Sequence, residues 1–190
     1  MSGCAAIGVV ATSDPHVKLN DAENLFITQN RPLPAERLIR EAMAIYQERD
    51  DPHGLGNANR EYGDLLRSPA VAKWETVYKR EGFQDKSIDF DNRLAKASEF
   101  YRRALTYYKR AEQQHQDTEK YDALTNVYFN MAISHEALGE RGDACDYYDQ
   151  TLEAYKKTLE QKPGAKPYAP ANFGSVPNLV AAQKRRAGCP

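Results

Sequence analysis

YFNMAISHEALGERGDACDYYDQTL, residues 128–152, decides the fold. Tyr128, Met131, Ala132 and His135 recur at steps of three and four, the spacing that keeps side chains on one face of a helix. Gly139-Glu140-Arg141-Gly142 interrupts that pattern as a tight helix-to-helix turn, with Gly free to take left-handed backbone. A second periodic face follows at Ala144, Tyr148, Thr151 and Leu152. The segment therefore reads as two helices folded back on each other. Small residues on the second face let a neighbour come close, and the larger ones fill the gap.

The same face recurs upstream as Ala97, Tyr101, Ala104 and Leu105, and before that as Ala35, Ile39, Ala42 and Met43. A helix with such a face cannot bury it alone, so its repetition implies stacked helix pairs. Working outward, the spacing predicts helices over 19–28, 35–49, 55–66, 69–81 and 93–115. A further helix is expected from a cap at Asp117-Thr118 to residue 138, then one over 143–161, and a turn or two within 179–186. Pro34 suits a first helical turn, and Ser68-Pro69 reads as an N-cap followed by Pro. Asp14-Pro15 reads as a break closing a leader, Asp50-Asp51-Pro52-His53-Gly54 as a turn, and 82–91 as a loop. Gly63 lies inside a helix, where it costs up to ~1 kcal/mol, and close approach of a neighbouring helix accounts for it. The expected fold class is all-α, with no strand pattern of useful length.

The two-helix unit resembles the tetratricopeptide repeat. The copy nearest the family pattern is Tyr128, Met131, Ala132, His135, Gly139, Ala144, Tyr148 and Thr151. Ala132 stands where the family prefers Gly, His135 where it prefers Tyr, and Thr151 where it prefers Ala. A middle copy reads Tyr62-Gly63, Leu66, Ala97, Tyr101 and Ala104, with an insertion between its helices. A first copy reads Leu19, Ala22, Phe26, Ala35, Ile39 and Ala42. The resemblance implies a right-handed helical solenoid of about three helix pairs, with an inserted short helix and a Pro-rich C-terminal tail. The organisation expected is a flexible leader or lipid-anchor tether over 1–16, a repeat domain over 17–161 with an insert at about 68–91, and a basic Pro-containing tail over 162–190. The resemblance further implies a concave face that accepts a protein or peptide partner, shown by Asn20 and Asn24, then Asn57, Arg60 and Asp64, then Asn126, Phe129 and Ile133. Asn suits peptide backbones because it both donates and accepts.

Composition narrows the function. Hydrophobic residues make up 41% and charged residues 28%, a globular balance, and a net charge of −1 gives no field for nucleic acid. No apolar run reaches the ~18 residues of a transmembrane helix. His16, His53, His115 and His135 are scattered without catalytic or metal-ligand spacing, and His135 reads as a packed residue. No enzyme activity, cofactor or metal is expected. Trp74, with Val71, Val77 and Tyr78 on one stripe of the insert, covers the array, a partner or a membrane interface. Of the pairs Tyr107-Tyr108 and Tyr147-Tyr148, one member each must lie on a flank, since neighbours cannot face one core.

Three cysteines remain. Ser2-Gly3-Cys4 resembles the end of a bacterial lipobox, in which the Cys is acylated; the family's Leu position holds Met1, and no apolar region precedes it. The resemblance implies a lipid anchor on Cys4 and an outer-membrane lipoprotein facing the periplasm, serving envelope assembly. The alternative is a cytoplasmic adaptor or chaperone with the same face. If Cys4 is acylated, Cys145 and Cys189 are left as an even pair in an oxidising compartment, and a disulfide between them would pin the tail. That tail carries Lys162, Lys166, Lys184, Arg185 and Arg186 without an acidic residue, and folded across the groove it would occupy it. Oligomeric state is left open.

Overall fold

The structure, a computed structural model, describes residues 12–165, 169–170 and 172–190. Among them are nine helices and no strand: α1 (Pro15–Ile27), α2 (Pro32–Glu48), α3 (Pro52–Arg67), α4 (Pro69–Lys73), α5 (Glu75–Glu81), α6 (Arg93–Asp117), α7 (Tyr121–Leu138), α8 (Arg141–Gln161) and α9 (Val176–Ala187). The chain is all-α. It divides into two compact units, Met1–Ala104 and Leu105–Pro190, the division falling within α6.

Several helices start earlier than the hydrophobic spacing predicts, for one physical reason. Asp14 accepts a hydrogen bond from the His16 N–H and places Pro15 at the first helical position. Asp51 accepts from the Gly54 N–H and places Pro52 likewise. These dipeptides are helix starts, not a break and a turn: the carboxylate satisfies a first-turn donor, and Pro has no N–H to satisfy. Ser68 caps α4 as expected. Ser175 caps α9 ahead of Pro177, so the last helix has three turns instead of one or two. Asp117-Thr118 closes α6 rather than opening α7. Thr118 donates its hydroxyl to the Gln114 carbonyl, and α7 begins after Lys120 without a side-chain cap. The insert helix expected over 69–81 is two helices, broken at Trp74, whose φ of −99° and ψ of 21° leave the helical region.

In the first unit, Ala22, Ala35, Ala42 and Ala58 are fully buried, so α1, α2 and α3 pack backbone to backbone while Leu38, Ile39, Leu65 and Leu66 fill the spaces between them. Gly63 faces the Tyr101 ring, and Tyr62 meets Phe100 edge-on with ring centroids 4.5 Å apart. The segment 82–91 is a loop, but an ordered one: Phe83, Ile88 and Phe90 are buried, and Phe83 stacks on Tyr78 at 4.1 Å. Its tie to the helices is Glu36 of α2. This buried carboxylate accepts from the Tyr62 hydroxyl and from the Gln84 N–H, each at 2.7 Å. Burial raises its pKa, and those two donors partly offset the rise.

In the second unit, Gly139 ends α7 in left-handed conformation, its N–H bonding back to Glu136 and His135 carbonyls. The short turn makes α7 and α8 a hairpin. Ala132 and Ala144, both fully buried, share a cluster with Tyr148, Val176 and Val180, so α9 packs on the hairpin. Tyr108 and Tyr148 are buried whereas Tyr107 and Tyr147 are half-buried, as adjacency on a helix requires.

Candidate functional site

Three surfaces bring together polar or aromatic side chains. The first is a stripe on α3. Asn57, Arg60 and Asp64 follow at three and four residues and are half-buried. Arg60 bridges two carboxylates, pairing with Asp64 and, at 3.0 Å, with Glu61. The Tyr101 hydroxyl donates to Asp64 at 2.6 Å. Glu61, which sequence reasoning did not single out, is 3% exposed. One of its oxygens takes the Arg60 bond while Oε1 is buried with no hydrogen-bond partner. Burial pushes its pKa up to about 8; Arg60 lowers it, and Asp64 and Glu23 add to the rise. Asn20 and Asn24 are exposed on α1. Trp74 is half-buried at the α4–α5 break.

The second surface is a cleft of about 250 Å³ in the second unit. Gln116 lines it from α6, Tyr121, Leu124 and Tyr128 from α7, and Gln150, Glu153, Ala154 and Lys157 from α8. Leu124 and Ala154 are buried and give it an apolar floor. Gln116 donates to the Tyr128 hydroxyl at 3.0 Å. The Lys157 ammonium lies 5.3 Å from the Tyr121 ring centroid and 3.4 Å from Glu153. Such a wall offers two aromatic rings, two amides that both donate and accept, and one paired charge, a set suited to a peptide segment. The cleft uses the 121, 124, 128 side of α7. The expected stripe Asn126, Phe129, Ile133 lies on the opposite side: Asn126 is exposed, Ile133 is half-buried, and Phe129 packs against the cluster containing Val176 and Val180 of α9. Tyr121 and Tyr128, seven apart with Leu124 between, carry the signal that would have found the cleft.

The third surface is the seat of α9. Cys145 and Cys189 are joined by a disulfide with Cα atoms 5.7 Å apart. Lys184 pairs with Asp149 at 2.7 Å. Arg186 forks onto Glu136, Nε at 2.8 Å and Nη2 at 3.1 Å, and the Tyr148 hydroxyl donates to the same carboxylate at 2.8 Å. Cys4 lies outside the described residues.

His135 stacks on Tyr147 with ring centroids 5.3 Å apart and shares a 2.7 Å hydrogen bond with Glu140. With Asp143 these are the described residues whose ligand atoms, all within 4.8 Å of one another, could hold a metal ion. The hydrogen bond and the stack account for the His135 position without one. No described helix is long and apolar enough to cross a membrane. Searches against family models, curated proteins and solved structures found no match to this chain.

Proposed function

We propose that this chain is a tetratricopeptide-like interaction scaffold that binds a segment of another protein and carries out no chemistry on it. The observation that carries this reading is the cleft on α7 and α8, where Tyr121, Tyr128, Gln116 and Gln150 surround an apolar floor. Rings and amides of this kind grip a peptide by stacking and by pairing with its backbone, independently of a reacting group. The small-residue seams Ala22–Ala35 and Ala132–Ala144 support helix pairing of the tetratricopeptide type. The polar stripe Asn57, Arg60 and Asp64 is a second contact for the same kind of partner. An envelope location with a lipid anchor on Cys4 belongs to the proposal. It rests on Ser2-Gly3-Cys4 and on the Cys145–Cys189 disulfide, which suits an oxidising compartment. A soluble adaptor is the alternative.

The test places a photocrosslinking amino acid at Tyr121 of the full chain, expressed in the cells that make it. A discrete crosslinked polypeptide is expected, lost when Gln150→Ala and Tyr128→Ala are introduced and unaffected when exposed Lys79 is replaced. Crosslinking that is diffuse, or that survives both cleft substitutions, overturns the assignment. Intact mass of the native protein settles the location: acyl mass on Cys4 supports the envelope, and an unmodified Cys4 in a soluble species supports the adaptor.

A further inference from the structure

The α7–α8 face beneath α9 is held by an unusual mixture of forces. Of the twelve residues in α9 only Val176 and Val180 are buried. Ala187 packs at the edge of the same cluster, and polar and covalent ties add to these: Lys184 on Asp149, Arg186 on Glu136, and Cys189 on Cys145. What lies beneath is more apolar than what covers it. Ala132, Ala144 and Tyr148 are fully buried in the shared cluster, and Phe129, Tyr147, Leu152 and Tyr155 pack around them. An aromatic-aliphatic surface is thus covered by a helix that contributes two buried valines and the half-buried Ala187, and is kept in place by latches. Both cysteines are half-buried rather than sealed in the core.

We propose that this face is a docking surface for a partner's amphipathic helix, and that α9 occupies it as a strap released when the Cys145–Cys189 disulfide is reduced. The partner is specified by what α9 shows to fit: two β-branched residues four apart, which seat against Ala132, Ala144 and Tyr148, and basic residues one to two turns further on, which pair with Asp149 and Glu136. A protein dithiol is the reductant. One of its thiolates attacks a sulfur of the disulfide, breaking the Cys145–Cys189 bond and forming a mixed disulfide. Its second thiol resolves that intermediate, so that Cys145 and Cys189 leave as thiols with two electrons and two protons gained and the reductant leaves as a disulfide. With the disulfide open, α9 is joined covalently through its N-terminal end alone and exchanges with a competing helix that meets the same contacts. This rests on the reading of the chain as an interaction scaffold, but concerns a different face from the cleft.

The experiment uses the full chain and a fluorescent synthetic peptide of residues 172–190 carrying Cys189→Ser, so it needs no natural partner and can fail while the crosslinking at Tyr121 succeeds, or the reverse. Hydrogen exchange of 176–187 is compared in the oxidised chain, after dithiothreitol, and in the Cys145→Ser/Cys189→Ser variant. At least tenfold faster exchange is expected in the last two, with the α1–α3 amides unchanged. The peptide is then titrated against the full chain carrying Val176→Asp/Val180→Asp with both cysteines replaced by serine, whose own α9 cannot compete. Saturable binding is expected there, none to the oxidised chain, and none for a peptide with Val180→Asp. Equal exchange of α9 in oxidised and reduced chains overturns the strap. Peptide binding that ignores Val180→Asp, or fails on a variant whose circular dichroism is native, overturns the docking surface. If that variant does not fold, the same titration on Arg186→Glu/Lys184→Glu in the serine background decides it.

Discussion

The ring of Tyr101 fills the place a side chain on Gly63 would take: a Cβ there would lie 2.9 Å from Tyr101 Cε1. The ring cannot yield, since it is 1% exposed and its hydroxyl is bound to Asp64 at 2.6 Å. Gly63→Ala should therefore destabilise the protein even though Ala gains about 1 kcal/mol of helix propensity, because overpacking costs about 1–3 kcal/mol. Urea unfolding is expected to show a lower midpoint for Gly63→Ala. In a Tyr101→Leu background the same change should be neutral or stabilising. Equal effects in both backgrounds would mean that the ring does not set the spacing.

Glu36 should hold the 82–91 loop. Replacing it with Ala leaves the buried Tyr62 hydroxyl without its acceptor, a loss of about 1–3 kcal/mol, and removes the tie to the N–H of exposed Gln84. Glu36→Gln keeps a carbonyl oxygen in the same place and should cost less than Glu36→Ala. Limited proteolysis is expected to cut Glu36→Ala within 82–91 and to spare both the wild type and Glu36→Gln. Cleavage of all three at the same rate would show that Phe83, Ile88 and Phe90 hold the loop unaided.

Glu61 gives the fold a pH dependence with a definite sign. Its folded pKa, up to about 8, lies above the ordinary carboxylate value of 4.5. Below that ordinary value both folded and unfolded chains carry the proton, and burial of Glu61 costs least. As pH rises from there toward 8 the unfolded chain ionises first, so stability falls, and above 8 the loss levels off. Glu61→Gln should remove this slope. The variant is expected to gain on the order of 4 kcal/mol over wild type between pH 5 and pH 9, read from denaturation midpoints at each pH. Parallel pH profiles for the two proteins would mean that Glu61 stays ionised in its site.

The helical class and the α7–α8 hairpin were legible because they rest on periodicity and on one glycine. Ala132, Ala144 and Tyr148 mark a face at helical spacing, and Gly139 is free to take the left-handed turn that joins the two helices. The close approach at Gly63 was legible for a related reason: a glycine where helix propensity opposes it needs a neighbour to explain it. The helix starts at Asp14-Pro15 and Asp51-Pro52 were less so, since the same dipeptide can break a helix or begin one, and the difference lies in which N–H the carboxylate reaches. The α7 wall of the cleft was legible in the spacing of Tyr121, Leu124 and Tyr128, but Gln116 and Gln150 come from two other helices, and no spacing along one helix reports their meeting with it. Phe129 was expected to await a partner, and the sequence could not say that α9 would pack against it.

The two aspartate-based assignments can be separated by substitution. Asp51 accepts a hydrogen bond from the Gly54 N–H at 2.9 Å, satisfying a donor in the first turn of α3 that helical bonding leaves open. Asp117 is the last residue of α6 and accepts a side-chain bond from Gln113 at 2.9 Å on the exposed surface. Loss of a true N-cap costs about 1 kcal/mol, and loss of an exposed contact changes stability by less than about 0.5 kcal/mol. Asp51→Ala should therefore lower the unfolding midpoint while Asp117→Ala leaves it nearly unchanged. Asp51→Ser, which restores an acceptor of similar reach, should recover most of the loss. Equal sensitivity at the two positions would return Asp117 to the start of α7 and move the α6–α7 boundary upstream.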